Sequence, residues 1–351
     1  MAEVTQKKTT IAIDPVTRIE GHLKAEVVVE NGKVVDAKLT GGMYRGFESI
    51  LRGRHPRDAA QIVQRICGVC PTAHATAASI ALEKASGTAV PSNGRATRNL
   101  ILGANYLQSH ILHFYHLAGQ DFIQGPDTAP FMPRYAKPDL RLPPAINAVG
   151  VDQYVEALEV RAVCHEMVAL FGGRMPHVHG ILAGGASEIP TKEKLVEYAA
   201  RFKKVRKFVE EKYLPVVYLV GSQYKDLGTF GQGYRNALCV GVFPLDDEGK
   251  EFVFKAGAYQ DGKDMPFDVK KVTEDVKYSW FADSTSGKPF TKGENVLEVD
   301  KKGAYSFVKA PLYNGKPMEV GPLARMWVNN KPISPIGQKL FKEYFGLDVK
   351  N

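Results

Sequence analysis

Cys67 and Cys70 stand three positions apart in RICGVC at 65–70. That step puts two sulfurs on one side of a turn, where both can reach one ion. Three kinds of chemistry use such a pair: a thiol–disulfide couple, half of a zinc site, or half of another thiolate metal centre. A thioredoxin-like Cys-x-x-Cys follows a buried strand and opens a helix whose dipole lowers the thiol pKa. Here the preceding residues, DAAQIVQRI, have helical texture, and no βαβ pattern surrounds them. A structural zinc site takes four ligands, commonly a second Cys-x-x-Cys or two histidines. The chain has no second Cys-x-x-Cys. A zinc or thiol-redox module stays open at this point, as does an inert pair.

Other residues of reactive type read as structure. Cys164 lies in VRAVCHEMVALF and Cys239 in RNALCVGVF, apolar settings where a free cysteine behaves as an inert core residue. His110, His113 and His116 fall three apart on one expected helix. That spacing drifts around a helix, so the three do not readily face one ion. They read as core and interface residues.

The elements that must hold these side chains belong to an ordinary globular chain. It has 351 residues, 44% hydrophobic and 24% charged, enough to bury a core. Four cysteines are too few for a disulfide scaffold of this length. No apolar run approaches the roughly 18 residues that span a bilayer. The N-terminus, MAEVTQKKTTIAID, shows neither an apolar signal core nor a twin-arginine pair, so no export address is expected from this chain itself. Lysine and arginine exceed the acids by 8, but the excess is spread out. Its densest stretch, RFKKVRKFVEEKY at 201–213, reads as a solvated amphipathic helix, which argues against nucleic-acid binding.

Along the chain, two β-rich runs within 22–40 flank Asn31-Gly32, a strong hairpin signal. Pro56 and Asp58 begin a short helix that ends near the cysteines. Helices are predicted over 72–86, closed by Gly87, and over 94–118, 151–171 and 191–213. Near Pro215 the texture turns irregular and β-leaning, with many turns, before a final helix in ISPIGQKLFKEYF. The expectation is one α+β domain, mainly α, with helices around a long central one. It has three parts: a β-rich start at 1–55, a helical core at 56–214 and an irregular region at 215–351.

Six segments then decide the cysteine question. IDPVTRIEGH at 13–22, GGMYRGFE at 41–48, RICGVCPTAH at 65–74, LQSHILHFYHL at 107–117, FGGRMPH at 171–177 and VGPLARM at 320–326 together resemble the large subunit of nickel–iron hydrogenases, in family order. The resemblance implies a nickel and an iron sharing four cysteine thiolates, two of them from an N-terminal Cys-x-x-Cys. The iron also carries cyanide and carbon monoxide. By position Cys67 matches the terminal nickel ligand and Cys70 the cysteine bridging both metals. Soft thiolates suit metals that must change charge without leaving the site. His74, one helical turn after Cys70, matches a residue that tunes the thiolate, with a helix-capping role as the alternative. Glu20 matches the glutamate that relays a proton between a cysteine and the surface, a task suited to a carboxyl group that partial burial tunes toward neutrality. Arg18 is expected to pack or pair beside it. Glu48 matches a magnesium ligand, with a salt bridge to a nearby arginine as the alternative.

The resemblance further implies reversible conversion of dihydrogen to two protons and two electrons, with iron–sulfur clusters held only in a separate small subunit. The family's second cysteine pair, in a stretch beginning Asp-Pro-Cys, has no counterpart here, and two thiolates do not hold a centre that needs four. The chain alone is therefore expected to be incomplete and inactive: a fragment, an interrupted gene, or a split subunit completed by a second polypeptide. The rival expectation is a non-catalytic relative of the respiratory-complex type. Membrane or periplasmic placement would come through a partner, with the cytoplasm otherwise.

Overall fold

A computed structural model describes residues 8–125, 139–231, 233–329 and 334–345. Its first element is a three-stranded antiparallel sheet ordered β1 (Lys8–Ile13), β2 (Leu23–Glu30) and β3 (Lys33–Gly41). Asn31 (φ 51°) and Gly32 (φ 75°) form the two-residue turn between β2 and β3, with Glu30 opposite Lys33. Both turn residues are left-handed, which matches the twist of the flanking strands. The N-terminal hairpin is as expected. β1 is a strand additional to the two expected within 22–40.

Helices then dominate. Two short ones, α1 (Phe47–Leu51) and α2 (Ala59–Ile62), lead through a 3-10 turn at Val63–Ile66 to the cysteines. α3 (Pro71–Ser86) starts with proline in its first turn, where a missing N–H costs nothing, and ends at left-handed Gly87. α4 (Ser92–Leu112) runs on through a π-helical turn to Ala118. α5 (Pro144–Gly172) packs along it, burying Ala157, Val160, Cys164, Met167, Val168 and Phe171. Those positions recur every three or four residues, one face of a helix. They meet Ile101, Ala104, Ile111 and Tyr115 in one core. α6 (Lys192–Phe208) adds Tyr198, Val205 and Phe208.

The helical part extends beyond the expected break at Pro215. A π-turn at Val209–Tyr213 feeds directly into α7 (Leu214–Gln223), whose Val216 and Val220 join the core. Pro215 lies in the first turn of α7, just where the run changes from π to α, so the helix is carried through the proline rather than ended by it.

The rest is β-leaning, as expected. A small hairpin pairs β4 (Ile181–Leu182) with β5 (Gly185–Ala186). Beyond α7 come β6 (Ala237–Cys239), β7 (Val242–Pro244), β8 (Phe252–Phe254), β9 (Gly257–Gln260), β10 (Lys263–Met265), β11 (Val272–Asp275) and β12 (Ala310–Tyr313). β9 pairs antiparallel with both β6 and β10, β7 with β8, and β11 with β12. A second small core holds Leu238, Ala258 and Tyr313. VGPLARM overlaps a helix, α8 (Pro322–Asn329), which the sequence reading did not foresee; α9 (Pro335–Phe345) is the expected final helix. The whole is α+β, mainly α.

Candidate metal centre

The cysteine pair sits in the joint between the 3-10 turn and α3. Cys67 is extended (φ −148°, ψ 130°) and Cys70 directly precedes the first helical residue, Pro71. The Cys70 amide donates to Cys67 Sγ at 3.4 Å, so the two residues share one turn. Both are free thiols and half-buried. The helical approach from Ala59 to Ile66 is the one expected from DAAQIVQRI, and it lacks the strand that precedes a thioredoxin-like pair.

The joint is held from outside by three side chains. Arg45, in the GGMYRGFE segment, donates Nη1 to the Arg65 carbonyl at 2.8 Å and Nη2 to that of Ile66. Asn105 on α4 donates Nδ2 to Val69 O at 3.4 Å and accepts from the Thr72 hydroxyl. Fully buried Gln64 ties the 3-10 turn to Ala60 O and Val178 O, both at 2.9 Å. Apart from Val178 O, every backbone carbonyl engaged here flanks or precedes the two sulfurs, so the pair is held from α4, from the loop before α1 and from the segment at Val178. None of these three residues stands out in sequence as functional. Arg45 lies inside a quoted motif, which is the one signal that could have found it.

Burial pushes the Cys70 thiol up to about 12, with further contributions from its hydrogen bond to Cys67, the charge of Cys67 and the charge of Glu20. Each cause disfavours the bare anion. A bound dication reverses that balance, because it neutralises adjacent thiolates. The donor set thus fits half of a soft-metal centre. Among the described residues no group of three or more His, Cys, Asp or Glu side chains comes together to hold a metal.

Glu20 sits in the 14–22 loop, which is closed by a 2.7 Å bond from Val16 N–H to Leu23 O. Its charge contributes to raising the Cys70 thiol. The carboxylate is exposed rather than partly buried, because the loop lies on the surface of the described residues. Arg18, at φ 66°, makes a bidentate pair with Asp121 (3.0 and 2.8 Å). Asp121 was not singled out by sequence. His74, in the first turns of α3, is half-buried, and burial holds its pKa below the usual imidazole range, so its ring is neutral near pH 7. Glu48 on α1 is exposed, and no ion pair joins it to another described residue.

The three histidines of α4 do not converge. His110 and His113 are exposed on the helix and its π-turn, whereas the His116 ring contacts Tyr154 O at 3.2 Å. Cys164 and Cys239 are buried in the core, and burial raises the Cys164 thiol to about 12.

Comparison with known proteins accounts for this arrangement. A family model described as nickel-dependent hydrogenase matches residues 45–125 and 122–346, and a HoxL-like model matches 10–40. The chain belongs to the nickel-dependent hydrogenase family, as a large-subunit sequence. It is 60% identical to the periplasmic [NiFeSe] hydrogenase large subunit of Desulfomicrobium baculatum, over 98% of this chain and 68% of that protein. It is 33% identical to the hydrogenase-2 large chain of Escherichia coli K12, over 91% of this chain and 67% of that one. A solved Ni-Fe-Se hydrogenase from D. vulgaris Hildenborough superposes with a TM-score of 0.94 at 71% identity, covering 98% of this chain and 71% of that one. Nickel and iron are the active-site metals that membership brings. Among the described residues no helix is long and apolar enough to cross a membrane.

Proposed function

We propose that this chain is the catalytic large subunit of a hydrogenase, interconverting dihydrogen with two protons and two electrons. In this reading Cys67 and Cys70 supply two of the four thiolates that hold nickel and iron. The observation that supports it most directly is the shared turn of two half-buried, reduced sulfurs, joined by the 3.4 Å amide–sulfur bond, in a chain of this family. Cys67 would hold nickel, and Cys70 would hold nickel and iron. The iron's cyanide and carbon monoxide, and the second pair of thiolates, belong to groups beyond these two residues. The rest of the same subunit or a second polypeptide supplies that pair. The selenium in the relatives' names has no counterpart at Cys67 or Cys70, which are ordinary cysteines.

When bound, the two metals supply heterolytic splitting of dihydrogen. The protein's own part is to take the proton away. Glu20, which is exposed, would relay the proton between a cysteine of the centre and the surface. The neutral ring of His74 offers an N–H toward the sulfur region and steadies negative charge there. Glu48 offers one hard oxygen to magnesium, with water and groups beyond the described residues completing the shell. Electrons leave through a small iron–sulfur subunit, since four cysteines, two engaged here and two in the core, leave none for a cluster. The 1–55, 56–214 and 215–351 parts act as one domain around this centre. Periplasmic placement, as named for the D. baculatum relative, comes with export of the assembled pair.

Hydrogen uptake and deuterium–proton exchange in the assembled enzyme test these roles. Cys67→Ser should abolish both, whereas Glu20→Gln should lower both by roughly 10²–10⁴-fold, the usual worth of a positioned acid–base group. Loss of activity with Cys67→Ser but none with Glu20→Gln contradicts the relay.

A further inference from the structure

The Glu20 loop is built largely of exposed residues: Asp14, Pro15, Thr17, Ile19, Glu20 and Gly21 all face solvent. An exposed loop does not by itself fix a carboxylate against one sulfur. Two residues before Glu20, Arg18 adopts a left-handed backbone (φ 66°) that turns its side chain away from the loop and onto Asp121. The contact is fork-to-fork, Nε to Oδ2 at 3.0 Å and Nη2 to Oδ1 at 2.8 Å. A bidentate guanidinium–carboxylate pair fixes orientation as well as distance. Both partners are partly shielded, with side chains 29% and 36% exposed.

Asp121 is well placed to act as a fixed point. It closes the short 3-10 turn Gly119–Asp121, which continues the π-turn from α4. Gly119 is buried and allows no side chain there, since a Cβ would lie 2.7 Å from Phe114 O. The same helix carries Asn105, which holds the cysteine loop through Val69. One continuous helical run, Ser92 to Asp121, therefore meets the cysteine loop midway along its length and the Glu20 loop at its end.

We infer that Asp121 is a positioning residue for the proton relay: through Arg18 it fixes the Glu20 loop relative to Cys70, using α4 as the common frame. The inference rests on the relay reading of Glu20. Misplacing a reacting group by about 1 Å can cost on the order of 10²-fold, so loosening the clamp should slow proton transfer without removing any group that reacts.

The test pairs amide hydrogen exchange over residues 14–22, read by mass spectrometry, with deuterium–proton exchange and nickel content in the assembled enzyme. Asp121→Asn should speed amide exchange in the loop about tenfold and slow deuterium–proton exchange by roughly 10–10²-fold, with nickel content unchanged. Asp121→Glu, which keeps a carboxylate, should recover most of both. Arg18→Gln gives the same measurement from the other side, and Arg18→Gln with Asp121→Asn should be no worse than either alone. Unchanged loop protection in both single variants overturns the clamp. A loosened loop with normal proton exchange overturns the positioning role. Normal proton exchange in Glu20→Gln overturns the relay reading itself, and is distinguished by leaving the loop's amide protection intact.

Discussion

At the scale of single residues, the centre depends on side chains that never touch a metal. Asn105 is buried and satisfies both Val69 O and the Thr72 hydroxyl on either side of Cys70. Replacing it by alanine strands those groups, a loss of roughly 1–3 kcal/mol by the usual cost of an unsatisfied buried partner. Asn105→Ala should lower the denaturant midpoint accordingly and weaken nickel retention during dialysis. An unchanged midpoint would mean that water substitutes for the amide. The residues proposed to carry the chemistry, Cys67, Cys70 and Glu20, were legible in sequence as members of short family-like motifs. Arg45, Asn105 and Asp121 were not. Their partners are backbone carbonyls or residues as far as 103 positions away, and no local pattern marks a residue whose work is to hold a distant loop.

Among the elements, α3 matters most, since it begins at Cys70. It is fastened to α4 by a buried ion pair, Glu83 with Arg98, in which Arg98 Nη1 donates to Glu83 Oε2 at 3.2 Å. The pair is fully engaged: Arg98 also donates to Gly185 O (3.2 Å) and Leu182 O (2.9 Å), and Glu83 accepts from Gly184 N–H at 2.9 Å. Close approach of the β4–β5 hairpin needs glycine at 185, where φ is 119° and a Cβ would stand 2.7 Å from Gly94 Cα. Removing one partner of a satisfied buried pair leaves the other charge uncompensated. Glu83→Gln should therefore cost about 3–5 kcal/mol, measured by chemical denaturation. A cost within about 0.5 kcal/mol, typical of a surface change, would contradict the role given to the pair. Elements whose ends are set by local chemistry were readable: Asn31-Gly32 marks its hairpin and Gly87 its helix end. The short strands from β6 to β12 were readable only as texture, because Ala237 finds its partner at Tyr259 and Thr273 at Leu312. Pro215 misled for a related reason: whether a helix ends at a proline or is carried through it depends on the π-turn before it.

For the whole molecule, half-buried histidines shape the response to pH. Burial holds His74, His116 and His165 below the usual imidazole range. Unfolding restores ordinary values near 6.5, so below that pH the unfolded chain binds more protons than the folded one. Stability is then fully present above about pH 6.5 and declines as the pH falls further. Denaturation midpoints should be higher at about pH 7.5 than at about pH 5.5, and equal or reversed midpoints would contradict the burial of these rings.

The pair of sulfurs as half of a nickel–iron centre is tested most directly by metal analysis. The chain should be produced with and without the polypeptide that supplies a second Cys-x-x-Cys, and its bound nickel, iron and zinc counted. The account predicts nickel and iron only in the completed assembly, and none when Cys67 or Cys70 is replaced by serine. One tightly held zinc per chain in the absence of the second pair would contradict it.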